Sequence, residues 1–88
     1  GFIKTGRLHA ELLILQGDIH FNRAQIMESK GQTNLAMDEY RKAAAKYIVP
    51  GQFFVDPKVT PEAVWKTILS LEKAGDVDRA RVLRKELE

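Results

Sequence analysis

Twice along this chain a single glycine separates two helix-forming stretches. The first case is Lys30 to Tyr47, KGQTNLAMDEYRKAAAKY, and the second is Lys73 to Leu87, KAGDVDRARVLRKEL. In each, the glycine (Gly31, Gly75) is followed five residues later by an alanine (Ala36, Ala80). Glycine takes the left-handed conformation that reverses a helix without a Cβ clash, and alanine lets two helix backbones approach. The pattern predicts a helical hairpin made twice, and so an all-α chain of about four helices.

Arg7 to Lys30 reads as one long first helix. Leu8, Leu12, Leu15, Ile19 and Ile26 recur at helical spacing, widened by Leu13, Ala24 and Met27. Such a stripe normally faces the core. Gly17 weakens the helix by about 1 kcal/mol relative to alanine. The stripe keeps its phase across Gly17, so the helix is expected to continue. Residues 1–6 are expected to fray, or to belong to an element of a missing N-terminal part. The second helix starts with Thr33 or Asn34 as cap and runs to about Tyr47. Its apolar face is Leu35, Ala36, Tyr40, Ala43, Ala44 and Tyr47.

Val49 to Thr60, VPGQFFVDPKVT, reads as a connection, because two prolines and Gly51 argue against helix. Phe53 and Phe54 are too apolar to be left in water. They either close an open edge of the core or form an exposed hook for a partner. Thr60-Pro61-Glu62 is a helix start: a capping threonine, a proline in the first turn and an acid near the positive end of the dipole. The third helix runs to about Lys73, with Val64, Trp65, Ile68, Leu69 and Leu71 apolar and Trp65 as core anchor. Asp76 caps the fourth, whose Val77, Ala80, Leu83 and Leu87 are expected to point inward. The whole is one domain: hairpin one over 7–47, a connection over 48–60, and hairpin two over 61–87.

Composition narrows the function classes. Eighty-eight residues suffice for one small core. With no cysteine there are no disulfides and no thiolate metal site. The 14 basic and 12 acidic residues alternate in sign, giving a net charge of only +2 and no basic stripe for nucleic acid. The longest apolar run, Leu12 to Leu15, is far too short for membrane insertion. His9 and His20 share a helix face but lie about 16 Å apart along the axis, too far to hold one metal. Ser29 and Ser70 have no partnered base in the sequence, and pairs such as Asp38 with Glu39 read as solvated helix charges. No catalytic residue, metal or cofactor is expected.

The units also resemble a known family. Ala24, Gly31, Ala36, Tyr40 and Ala43, with Pro50 beyond them, and then Trp65, Gly75 and Ala80, are similar to the tetratricopeptide repeat, a 34-residue helix–turn–helix unit. The turn glycines here are 44 residues apart, about ten more than that repeat allows. Ile68 stands where the second unit should be small, and Arg84 where a bulky apolar residue is usual. The resemblance implies a fragment of a right-handed superhelix with a long first helix. It also implies a non-catalytic interaction or scaffolding role for a protein or peptide partner, with any groove lined by helices one and three. The candidate contact residues are His20, Asn22, Arg23, Lys66 and Ser70, with Phe53 and Phe54 from the connection. Two units are fewer than the three or so that such arrays need. The chain is therefore expected to be the C-terminal end of an array, or to pair with itself. The alternative roles are a structural cap, a homodimerisation module or an accessory domain of a larger enzyme.

Overall fold

The structure, a computed structural model, describes residues 2–53 and 60–87, with side chains described for residues 6–51 and 60–86. It is all-α. Four helices follow one another: α1 (Phe2–Ser29), α2 (Thr33–Phe53), α3 (Thr60–Lys73) and α4 (Val77–Leu87). Each packs against the next in chain order, α1 on α2, α2 on α3 and α3 on α4.

The two glycine turns are built alike. Gly31 and Gly75 are the described residues with positive φ, at 78° and 87°. At the first turn Gln32 N–H donates to Met27 C=O (2.9 Å) and Gly31 N–H to Glu28 C=O (3.0 Å). At the second, Asp76 N–H donates to Leu71 C=O (2.8 Å) and Gly75 N–H to Glu72 C=O (3.1 Å). This bond pair satisfies the carbonyls left over at a helix C-terminus, and it closes over a left-handed residue. The repeat read from the glycines therefore extends to the hydrogen bonds.

Packing between α1 and α2 follows a seven-residue rhythm. Ala10, Gly17 and Ala24 are buried along α1, and Tyr40 and Tyr47 are buried along α2. One core cluster joins Ala10, Ile14, Ala43, Tyr47 and Ala63. Another joins Ala24, Ala36, Tyr40 and Ala74, with Phe21 and Met27 against it. Small residues on one helix thus leave room for rings from the other. Phe21 meets Tyr40 edge-on, with ring centroids 5.1 Å apart. At Gly17 the fit is closest, since a Cβ there would lie 2.5 Å from Cε1 of Tyr47. α1 continues through Gly17, and the glycine is there because the Tyr47 ring occupies the place of a side chain. A third cluster, Ala44, Ile68, Leu71, Ala80 and Leu83, holds α3 and α4 to α2.

Several expectations need correction. The first helix starts at Phe2 rather than Arg7. The second continues through Pro50 and Gly51 to Phe53, so the first part of the expected connection is helical, and its residues 54–59 lie outside the described residues. Proline removes one backbone donor and crowds the preceding turn, but Pro50 is itself buried, which offsets that cost. Gly51 sits hard against α3, where a Cβ would lie 3.2 Å from Cγ2 of Val64. The stripe Leu8, Leu12, Leu15, Ile19 and Ile26 does not face the core: every member is 52–65% exposed. α1 buries its opposite face, which is small and lacks large aliphatic residues apart from Ile14. Leu35 and Val77 are likewise exposed rather than inward. Trp65 is not a core anchor either. It is half exposed, with the Arg84 guanidinium 5.4 Å from its ring centroid. Arg84, in the place of an apolar residue, is held there by Glu72 at 2.9 Å.

Candidate interaction surface

α1 and α3 lie on the same side of α2, and charged side chains tie them over its tyrosines. Tyr47 donates its hydroxyl to Oδ1 of Asp18 on α1. Lys66 on α3 reaches the same Oδ1 at 3.0 Å and Glu62 Oε1 at 3.1 Å. Its ammonium sits 5.7 Å from the Tyr47 ring centroid. Part of the arrangement recurs at Tyr40 and Lys73, each seven residues from its counterpart: the Tyr40 hydroxyl donates to Glu28 Oε1 at 3.3 Å, and Lys73 Nζ sits 5.6 Å from the Tyr40 ring centroid. Each unit consists of an α1 carboxylate, an α2 tyrosine and an α3 lysine. Both rings are fully buried beneath these contacts, and Glu62 stands beside Lys66 on α3.

The surroundings shift the ionisations in one sense. Burial first, and then the bond to Asp18, push the Tyr47 hydroxyl far above the ordinary tyrosine range. Burial and Glu28 push Tyr40 up in the same way. For Lys66 burial favours the neutral amine, but the bonds to Asp18 and Glu62 outweigh it and raise its pKa. Both phenols therefore stay protonated and Lys66 stays charged at neutral pH. Neither phenol nor Lys66 is poised to exchange a proton near pH 7.

The expected contact residues do not form one site. Lys66 is in the seam, and Asn22 and Arg23 are exposed on α1. His20 is turned toward α2, where its Nδ1 is 2.7 Å from Glu39 Oε2. A carboxylate can only accept, so Nδ1 donates. That bond, against the opposing effect of burial, holds Glu39 below the usual carboxylate range, with help from Lys42 at 3.2 Å. Ser70 is fully buried, and its Oγ has no hydrogen-bond partner. It cannot line an open groove as the structure stands. Phe53 ends α2 with its side chain outside the described residues, and Phe54 lies outside them altogether. Sequence reading missed Asp18, Glu28, Tyr40, Tyr47 and Lys73 as members of the surface. The usable signal was the shared seven-residue step of Tyr40 to Tyr47 and Lys66 to Lys73.

A cleft of about 360 Å³ opens elsewhere, between Ile48 of α2 and Asp78, Arg79, Val82, Leu83 and Glu86 of α4. Among the described residues no three His, Asp or Glu side chains converge as metal ligands. No helix among them is long and apolar enough to cross a membrane. Comparison with known proteins gives no significant match: no family profile, no curated protein and no solved structure.

Proposed function

We propose that the chain is a non-catalytic protein-interaction module of the tetratricopeptide kind, which holds an extended peptide or a protein segment against α1 and α3. The observation that carries this reading is the doubled carboxylate–tyrosine–lysine contact. It ties α1 to α3 through Lys66 and Asp18, both partly exposed above the buried rings, with half-exposed Trp65 on the same helix as the lysines. Peptide recognition needs walls whose side chains are already positioned, since ordering them on binding costs about 0.5–1.5 kcal/mol per side chain. The raised pKa values of both tyrosines and Lys66 support binding rather than acid–base chemistry.

The test is selection of peptides from a random display library against the chain, followed by mapping of the amide shifts that the best peptide causes. Shifts centred on Asp18, Gln25, Lys66 and Lys73, abolished by Lys66→Ala with Lys73→Ala, are the expected result. Shifts centred on the α2–α4 cleft, or no selected peptide at all, would sink the reading. A second reading, a structural or self-pairing module, is favoured by the exposed aliphatic stripe of α1.

A further inference from the structure

The outer face of α1 carries more than scattered exposed residues. Leu8, Leu12, Leu15, Ile19, Asn22 and Ile26 follow one another at steps of four, three, four, three and four. This is the alternation of a two-stranded coiled-coil seam. The five aliphatic members are each more than half exposed, and Asn22 is exposed too. At about 100° per residue the seam lies directly opposite Gly17, hence opposite α2, and no other described helix stands in front of it. It is about 27 Å long at 1.5 Å per residue.

We propose that this seam pairs the chain with a second copy of itself, α1 alongside α1, parallel and in register. Three observations commit the occupant. First, the four-three spacing fits another helix lying along α1, and a two-fold pairing makes each layer meet its own kind. Asn22, the only polar layer, then faces Asn22 of the second copy, where two side-chain amides satisfy each other, and Ile19 and Ile26 fall at a with Leu8 and Leu15 at d, the arrangement that favours two strands. Second, the flanks are complementary in the parallel sense. Glu11 and Asp18 border one side of the seam, and Gln16 and Arg23 the other. A parallel pair sets Asp18 of one copy near Arg23 of the other on both sides of the axis, whereas an antiparallel pair sets Asp18 against Asp18. Both internal bonds to Asp18 use Oδ1, which leaves Oδ2 to accept from that arginine. Third, α1 is already held helical by α2, so pairing incurs no cost of helix formation, which usually makes so short a seam unstable.

The contact is shorter than standard interfaces, so the dimer is reversible, with a dissociation constant on the order of 1–100 µM. Sedimentation equilibrium from about 1 µM to about 1 mM should show the mass rising from 10.0 kDa toward twice that value. Leu15→Glu should raise the dissociation constant roughly 100-fold by placing two facing charges in the seam. Because Leu15 is exposed, its circular dichroism and melting temperature should stay those of the parent. The chain has no cysteine, so Asn22→Cys supplies a unique probe of register. Mild oxidation should convert it to a disulfide-linked dimer. A monomer across the whole range overturns the proposal, and so does a dimer that Leu15→Glu leaves intact. A dimer in which Asn22→Cys does not cross-link overturns the parallel, in-register pairing.

Discussion

Replacing Gly17 by alanine opposes two effects of known size. A helix-interior glycine costs about 1 kcal/mol relative to alanine, so propensity alone makes Gly17→Ala stabilising by that amount. The structure places the new methyl 2.5, 2.7 and 2.8 Å from Cε1, Cδ1 and Cζ of Tyr47. Those atoms belong to a fully packed ring whose hydroxyl is bonded to Asp18, so the ring cannot swing aside without breaking that bond. Overpacking of this kind costs about 1–3 kcal/mol, and leaving a buried polar group unpaired about 1–3 kcal/mol more. Subtracting the helix gain leaves a net expected loss of about 1–5 kcal/mol. For a domain of this size each kcal/mol lowers the melting temperature by about 4–8 °C. Urea unfolding followed by far-UV circular dichroism, with Tyr47→Leu and the double variant, completes the test. The loss should shrink in the Tyr47→Leu background, because a smaller side chain admits the methyl. A variant more stable than the parent by about 1 kcal/mol would refute the close contact at Gly17.

Four further outcomes follow from the same geometry. Ala36→Leu should destabilise by about 1–3 kcal/mol, since Ala36 is buried between Ala24 and Tyr40; an unchanged urea midpoint would remove it from the helix contact. Asp18→Ala should cost more than Lys66→Ala, because it strands the Tyr47 hydroxyl whereas Lys66 is 29% exposed and can be replaced by water; equal midpoints would contradict the seam as described. Both tyrosines of the chain have raised pKa values, so the folded protein should show no phenolate absorbance as pH passes 10.0, and its stability should decline above that pH as the unfolded tyrosines ionise. Ionisation of either ring in the folded state near pH 10.0 would count against burial. Glu39 has a lowered pKa, so its contribution is present above its unfolded value near 4.5 and lost as pH falls through the lower folded value; Glu39→Gln should flatten stability across that acid range.

Much of the fold was legible because its signals are local. Gly31 and Gly75 mark the turns through a backbone property that neighbours do not modify, and Thr60-Pro61 marks a helix start in the same way. The direction in which a helix points was less legible. Periodicity shows that Leu8, Leu12, Leu15, Ile19 and Ile26 share a face, not what that face meets. The large residues lie outward because the face toward α2 must be small to admit Tyr40 and Tyr47. Pro50 misled for a related reason: the penalty for an internal proline is local, while the burial that offsets it is tertiary. The interaction surface was the least legible, since Asp18, Tyr47 and Lys66 come from three helices and their contact depends on how those helices cross.

The largely sequential packing of the four helices has a consequence for how the chain folds. Almost every core contact joins helices adjacent in the chain, so only short loops must close before contacts form, and contact order is low. Domains of that kind fold in microseconds to milliseconds. They also open from their ends. α4 adds Ala80 and Leu83 to a single cluster and packs chiefly on α3 among the described helices, whereas α2 is held on both sides. Amide exchange should therefore be fastest in residues 77–87 and slowest around Ala43 and Tyr47, with the last helix detaching and returning while the first hairpin stays formed.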